Sequence, residues 1–397
     1  MSKVNRVVLA VEDTLFAAAN ALSGRLKFLR RNLDASAKRY VDIARERAAE
    51  GEDDEALSAY ERALSCSPED RGILKDAGQF AYDTRHYAEA SKYFRRAMNL
   101  DYTDQRALKG LAFALHAEGS KDEAVYRYLR YLDTNRDDYD ALLNLSALFL
   151  DSAEYEQAIE YSQRAARADP TKASPIHNIA LAYFNLGKYP EAETYIRRAL
   201  AIDRSADSLR LLGLLLESQD KAEEALECYL EACNVNPNFP QACLDVARIQ
   251  NKTDRLDQYL ASARRAVELF ENGGDREGLA TAYWDLGWAL YRKGDFAQSA
   301  EASRKALELE PGSAPPRFNL ALALLFLGNP EEAKNEYKIA IGNSKASDLK
   351  ADGIDDLKKA LEAHPELTGA QECLILLENA YHTLVFQRIE RARSGSS

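Results

Sequence analysis

Long hydrophobic runs are missing from the start of this 397-residue sequence. The apolar stretch from Val7 to Val11 is cut by Glu12 and Asp13, too early for the core of a secretory signal. No segment has the roughly 20 apolar residues that a membrane-crossing helix needs. Cysteine is also scarce. Cys66, Cys228, Cys233, Cys243 and Cys373 are odd in number and lack the close pairing of a disulfide framework or a structural zinc site. They fit a reducing compartment, so a cytoplasmic location is expected, with Cys243 a buried thiol. The histidines, His86, His116, His177, His364 and His382, are scattered, none two or four residues from a cysteine. There is no phosphate-binding glycine loop, dinucleotide fingerprint, His-Glu-x-x-His or nucleophile elbow. Neither an enzyme nor a cofactor or metal is therefore expected. Carboxylate pairs such as Asp53-Asp54 and Glu223-Glu224 stand where helices start and complement the helix dipole.

Positive charge is short overall. The net charge of −12 argues against nucleic acid as a partner, because phosphate binding relies on clustered Lys and Arg. The balance is uneven, however. Residues 1–39 carry eight Lys or Arg against three Asp or Glu, hence +5, which leaves −17 for the remainder. The N-terminal segment is electrostatically a separate element.

What the sequence does have is a period. Counting Ala37 as position 1, Ile43 stands at position 7, a small residue, Ala44, at 8, Ala56 at 20, Tyr60 at 24, Ala63 at 27 and Pro68 at 32. A shift of 34 residues brings back Ala77, Gly78, Ala90, Phe94 and Ala97 in the same places. Apolar residues at 4, 7 and 11 and at 20, 24 and 27 each follow helical spacing, which describes two short amphipathic helices, A and B, packed antiparallel. Position 8 has to be small to let helix B approach. In nine successive units it reads Ala44, Gly78, Ala112, Ser146, Ala180, Gly213, Ala247, Gly287 and Ala321.

This pattern resembles the tetratricopeptide repeat family, whose period is 34. The resemblance implies an all-α fold, a right-handed α-solenoid of about nine helix-turn-helix repeats with helical extensions at both ends. Repeats one to six occupy residues 37–239 and a longer, divergent seventh 240–279, with Asn272-Gly273-Gly274-Asp275 as a hinge. Repeats eight and nine occupy 280–347. Pro68, Pro170 and Pro237 end helices B, while Gly51, Gly119 and Gly187 mark A-to-B turns. C-terminal helices, including a solvating cap, are expected over 348–393 with a break at Pro365, and disorder over 394–397.

Residues 1–36 read as one amphipathic helix. Val4, Val8, Val11, Leu15, Leu22, Leu26 and Leu29 form a heptad-like seam. Three readings stay open: a cap on the first repeat, a coiled-coil helix that associates with a second copy, or an interfacial membrane helix, which Glu12 and Asp13 weigh against.

The family resemblance implies that positions 2, 5, 9, 12 and 13 of helix A line a concave groove. In the early repeats these supply a basic lining with Lys75, Gln79, Arg106, Lys109, Phe113 and His116. In the late repeats they supply Trp284, Trp288, Tyr291, Phe318, Leu322 and Phe326, apolar side chains that the repeat core does not require. Position 6 carries Asp or Asn in seven of nine units, Asn144, Asn178 and Asn319 among them, the exceptions being Gly110 and Leu211. In superhelices of the glycosyltransferase type such asparagines form a ladder on a peptide backbone; the family consensus also favours Asn there for packing. The carboxylate clamp of chaperone-binding members fails here, since Gly110 replaces its asparagine. The expected function is a non-catalytic scaffold or adaptor that binds a peptide or amphipathic helix of a partner protein. The alternative is a self-assembling or membrane-surface protein using the N-terminal helix.

Overall fold

A computed structural model of the chain describes residues 32–394, with side chains as far as Phe386. Every regular element among the described residues is helical. The chain divides into two compact units, one ending at Leu186 and the other beginning at Gly187.

The first unit contains α1 (residues 32–50), α2 (Asp53–Cys66), α3 (Arg71–Asp83), α4 (Tyr87–Leu100), α5 (Gln105–Glu118), α6 (Lys121–Thr134), α7 (Tyr139–Asp151), α8 (Tyr155–Ala168) and α9 (Ser174–Asn185). The second contains α10 (Tyr189–Ile202), α11 (Ala206–Ser218), α12 (Ala222–Val235), α13 (Pro240–Lys252), α14 (Leu256–Gly273), α15 (Arg276–Lys293), α16 (Phe296–Leu309), α17 (Pro315–Phe326) and α18 (Pro330–Asn343). It closes with α19 (Ala346–Asp348), a π-helical segment Leu349–Asp355, α20 (Asp356–Ala363) and α21 (Ala370–Ser394). Within each unit consecutive helices pack in pairs, and each pair stacks on the next.

Backbone geometry sets the beat. Nine A-to-B turns contain one residue at positive φ: Gly51, Arg85, Gly119, Ala153, Gly187, Asp220, Asp254, Gly294 and Gly328. Four of these are not glycine; all four are exposed, and backbone hydrogen bonds across each turn, such as His86 N–H to Ala81 and Glu154 N–H to Phe149, hold a conformation that L side chains disfavour. Helix A of several repeats is capped by an aspartate. Asp70, Asp104, Asp138 and Asp275 accept from backbone N–H groups in the first turn that would otherwise lack partners.

Several boundaries differ from the sequence expectation. Residues 32–50 form one unbroken helix, so no joint separates the first repeat from the residues before 37. The association seam from Val4 to Leu29 lies outside the described residues, as do 395–397. The extra length of repeat seven does not make a loop. α14 and α15 each reach 18 residues, Gly274 takes the left-handed conformation, and Asp275 caps α15 at once. The junction is tight: a Cβ on Gly278 would stand 2.1 Å from the ring of Phe270. The helix expected after residue 348 is widened into the π-helical segment before α20, and the last helix begins at Ala370, five residues after Pro365.

Candidate functional site

Three repeat positions meet at each seam between neighbouring pairs. The position-24 residue of helix B lies under position 8 of its own helix A and against position 6 of the next. At two seams position 8 has no room for a side chain beneath the ring: a Cβ on Gly78 would lie 3.0 Å from Phe94, and one on Gly213 only 2.4 Å from Tyr229. Position 6 then depends on whether the ring carries a hydroxyl. The Tyr259 hydroxyl donates to Asp285 at 3.0 Å; Asn144 stands beside the Tyr128 hydroxyl, which makes no hydrogen bond. Phe94 has no hydroxyl, and the facing residue is Gly110, whose Cβ would sit 2.4 Å from that ring. The exception at Gly110 is thus a packing consequence of Phe94. Asn178 faces Ser162 and donates instead to the Ser146 hydroxyl at 3.0 Å.

In the first unit the cations of the expected basic lining are paired with carboxylates of neighbouring repeats. Lys75 donates to Asp104 at 2.6 Å and Lys109 to Asp138 at 2.8 Å, so the lysines bond the caps of the following A helices. Arg106 pairs with Asp76 at 3.1 Å, and Gln79 donates to Asp83 at 2.9 Å. Phe113 packs between Tyr82 and Tyr128, and His116 lies edge-on to Tyr128, where burial lowers its pKa. A cleft of about 460 Å³ is left between Gln79, Arg106, Lys109, Phe113 and Tyr131. Its polar groups are largely spent on carboxylates outside it, Asp83, Asp76 and Asp138.

In the second unit the aromatic expectation divides. Phe318 and Leu322 are buried, covered by the chain itself: the π-helical segment crosses Phe318 so closely that a Cβ on Gly353 would come within 3.0 Å of the ring. Leu349, Ile354, Leu357 and Ala360 complete that core. Those two residues are internal packing and line no open groove. Trp284, Trp288, Tyr291 and Phe326 remain half-buried. Trp288 stacks on Tyr291 at 5.2 Å, and Phe326 stacks on Phe296 at 4.1 Å with His364 at its edge.

Two cavities open beside these rings. One, about 440 Å³, is lined by Trp284, Trp288, Arg210, Asp245, Arg248, Asn251, Asp285, Asn319, Asp352 and Asp356. The other, about 620 Å³, shares Trp288, Asn251 and Asp356 and adds Tyr291, Phe296, Phe326, Lys359 and His364. The first is electrically two-ended. At one end Asp245, 2% exposed, is held by Arg210 at 2.5 Å and Arg248 at 2.9 Å, and Arg248 also donates to Glu217. At the other end stand Asp285, Asp352 and Asp356. Burial pushes the carboxyls of Asp285 and Asp352 up to about 6, the latter helped by Asp356 and Asp348. Asp356 has Lys359 at 3.0 Å, whereas Asp352 has no ion-pair partner among the described residues.

Asn319 belongs to the same wall. It is 6% exposed, and its Nδ2 has no hydrogen-bond partner. Its position-24 neighbour is Ser303, not tyrosine, and Gly287 stands where Asn178 finds the Ser146 hydroxyl. Both usual partners are missing. Asp352 and Asp356 escaped the sequence reading because they lie outside the repeats. A signal existed nonetheless: Asp348, Asp352 and Asp356 follow at intervals of four, a like-charge series that an isolated α-helix disfavours.

Models described as tetratricopeptide repeat match residues 139–172, 171–238, 241–309 and 290–341, together about half of the chain. The chain is a tetratricopeptide repeat protein. The positive-φ turns at Gly51, Arg85 and Gly119 carry the tetratricopeptide pattern N-terminal of the matched residues. Relatives include BBSome complex member BBS4 of Bos taurus, 22% identical over 225 residues, which covers 55% of this chain and 43% of the relative. The CTR9 homolog of Arabidopsis thaliana is 23% identical over 305 residues, 74% of this chain and 27% of the relative. The chain thus spans less than half the length of either. Among solved structures, a tetratricopeptide repeat protein from Parabacteroides merdae superposes with a TM-score of 0.54 at 14% identity, covering 62% of this chain and 99% of that one. That likeness shows the fold alone. Tetratricopeptide repeat proteins generally mediate protein–protein interactions, and no helix among the described residues is long and apolar enough to cross a membrane.

Proposed function

We propose that the chain is a non-catalytic adaptor that holds an extended peptide segment of a partner protein along the two adjoining cavities of its second unit. The observation that carries this reading is their shared wall: Trp288, Asn251 and Asp356 line both, so one strand of peptide can run from one to the other. Half-buried aromatic rings supply apolar contact at low conformational cost, and unpaired polar groups between them fix register and specificity. The first unit is the poorer candidate, because its lysines and arginines are engaged by neighbouring repeats. A relative named as a member of a protein complex fits the same role. A reducing, cytoplasmic setting goes with the five free thiols.

Trp284 and Trp288 are the only tryptophans in the chain, so tryptophan emission, excited apart from that of the tyrosines, reports on these cavities. Titration with peptides from a partner identified by cross-linking should shift that emission saturably. The Trp284→Leu variant should lose at least about ten-fold in affinity, as expected for an interface anchor. Binding that leaves the emission unmoved would place the partner elsewhere.

A further inference from the structure

At the seam of the fifth repeat Asn178 spends its amide on the Ser146 hydroxyl, whereas the position-6 amide of Asn319 has no partner. Ser303 supplies no tyrosine hydroxyl and Gly287 no side chain, so Asn319, which lines the smaller cavity, keeps a buried amide donor without a partner. Opposite it the π-helical segment brings in Asp352. Insertions of this kind in a helix are frequent at functional sites. We propose that this cavity receives the cationic side chain of a lysine or arginine in the partner peptide, whose neighbouring backbone carbonyl accepts from Asn319. This rests on the adaptor reading and names the residue class that the adaptor selects.

Charge decides the class. A cation entering here meets the carboxylates of Asp285, Asp352 and Asp356; Asp356 pairs with the largely exposed Lys359, Asp285 accepts from Tyr259 and feels the charge of Arg248, and Asp352 has no ion-pair partner among the described residues. The arginines at the far end do not compete, since Asp245 and Glu217 hold them. Trp284 and Trp288 line the same space and favour a cation over their ring faces. An anionic side chain would meet three carboxylates. An apolar one would strip water from Asp352 and return nothing for it. The elevated carboxyl pKa values of Asp285 and Asp352 mark the same deficit: these groups sit where ionisation is costly until a positive charge arrives. A cavity of about 440 Å³ is too small for a folded partner and ample for one long side chain and its peptide bond.

The test uses the full chain, immobilised, and heptapeptide pools randomised except for a central Lys, Arg, norleucine, Gln or Glu. Lysine or arginine pools should be retained about ten-fold over norleucine and glutamine, fall with added salt, and shift tryptophan emission. Asp352→Asn, which removes charge without removing a protein contact, should shrink that preference to about three-fold or less. Asn319→Leu should weaken all pools alike and leave the preference unchanged. Equal retention of norleucine and lysine would overturn the cationic assignment while the adaptor reading survives. Failure of every pool to bind or to move the emission would overturn both. A synthetic peptide of residues 1–31, itself basic, is the competitor. If it alone binds at the tryptophans, the occupant is this chain's own N-terminal segment and the assignment to a partner falls.

Discussion

The seam at Phe94 and Gly110 in the first unit and the seam at Ser303 and Asn319 in the second are the same place in the repeat, yet they end in opposite states. In the first, a ring without a hydroxyl faces a residue without a side chain; the space is full and no polar atom is left over. In the second, a serine replaces the ring while the polar residue stays, which leaves two buried atoms, Ser303 Oγ and Asn319 Nδ2, without partners. A repeat fold therefore does not require identical seams. At the seam of Ser303 and Asn319, an unsatisfied donor and a cavity lie side by side. Buried polar groups without partners cost stability, so one that persists next to a cleft points to use by something outside the chain.

Four substitutions break or sharpen this contrast, taken from the largest effect to the smallest. Gly110→Asn restores the commoner residue at position 6 but drives a side chain into the Phe94 ring, and should cost about 3 kcal/mol. A calorimetric melt would read this, and an unchanged melting temperature would mean that the two residues do not touch. Asn178→Leu removes the bond to Ser146 and should cost about 1.5 kcal/mol by denaturant titration.

Asp352→Asn should act in the other direction. The folded-state pKa of Asp352, about 6, lies above the ordinary aspartate value. Its contribution to stability is therefore fully present below about pH 4 and is lost as pH rises through about 6. The asparagine variant escapes that loss. It should be more stable than the parent at pH 7 by on the order of 1 kcal/mol, discounted for partial exposure, and no more stable at pH 4. Denaturant curves at the two pH values check the sign. Asn319→Leu, the counterpart of Asn178→Leu, should change stability by less than about 0.5 kcal/mol or raise it, because no bond is lost and an orphaned donor is removed. Equal losses for the two asparagine variants would erase the distinction between the seams.

The period of 34, the small residue at position 8 and the helix B alanines were legible because each is local. Helical spacing puts those residues on the buried stripe whatever the neighbouring repeat contains. The side chains that line the groove were legible only as a helix face. Whether a face is free depends on partners far along the chain: Lys75 and Lys109 are consumed by aspartates 29 residues on, and Phe318 is covered by a segment that follows no repeat pattern. The tryptophans could be placed near the site since nothing in repeats eight and nine needed them. Asp352 could not, because a π-helical segment shifts which residues face inward, and periodicity analysis presumes an α-helix.

The positive-φ turns have a last consequence, for how the array tolerates changes in length. The nine turns would fall 33 or 34 residues apart were it not for the interval from Asp254 to Gly294, which is longer by six. That surplus is absorbed by α14 and α15, each about four residues longer than a typical 14-residue helix of this chain, less the two residues by which the junction Gly274-Asp275 is shorter than that between α4 and α5. Four residues rotate an α-helix by about 400°, within about 40° of a whole turn, and raise it by about 6 Å. The added turn therefore leaves Tyr283, Gly287 and Leu290 facing the same neighbours while the two helices stand proud as a ledge. An insertion of two residues in either helix would swing the buried stripe to the opposite side. Length in such a chain is quantised: it can change by turns of helix but not by single residues.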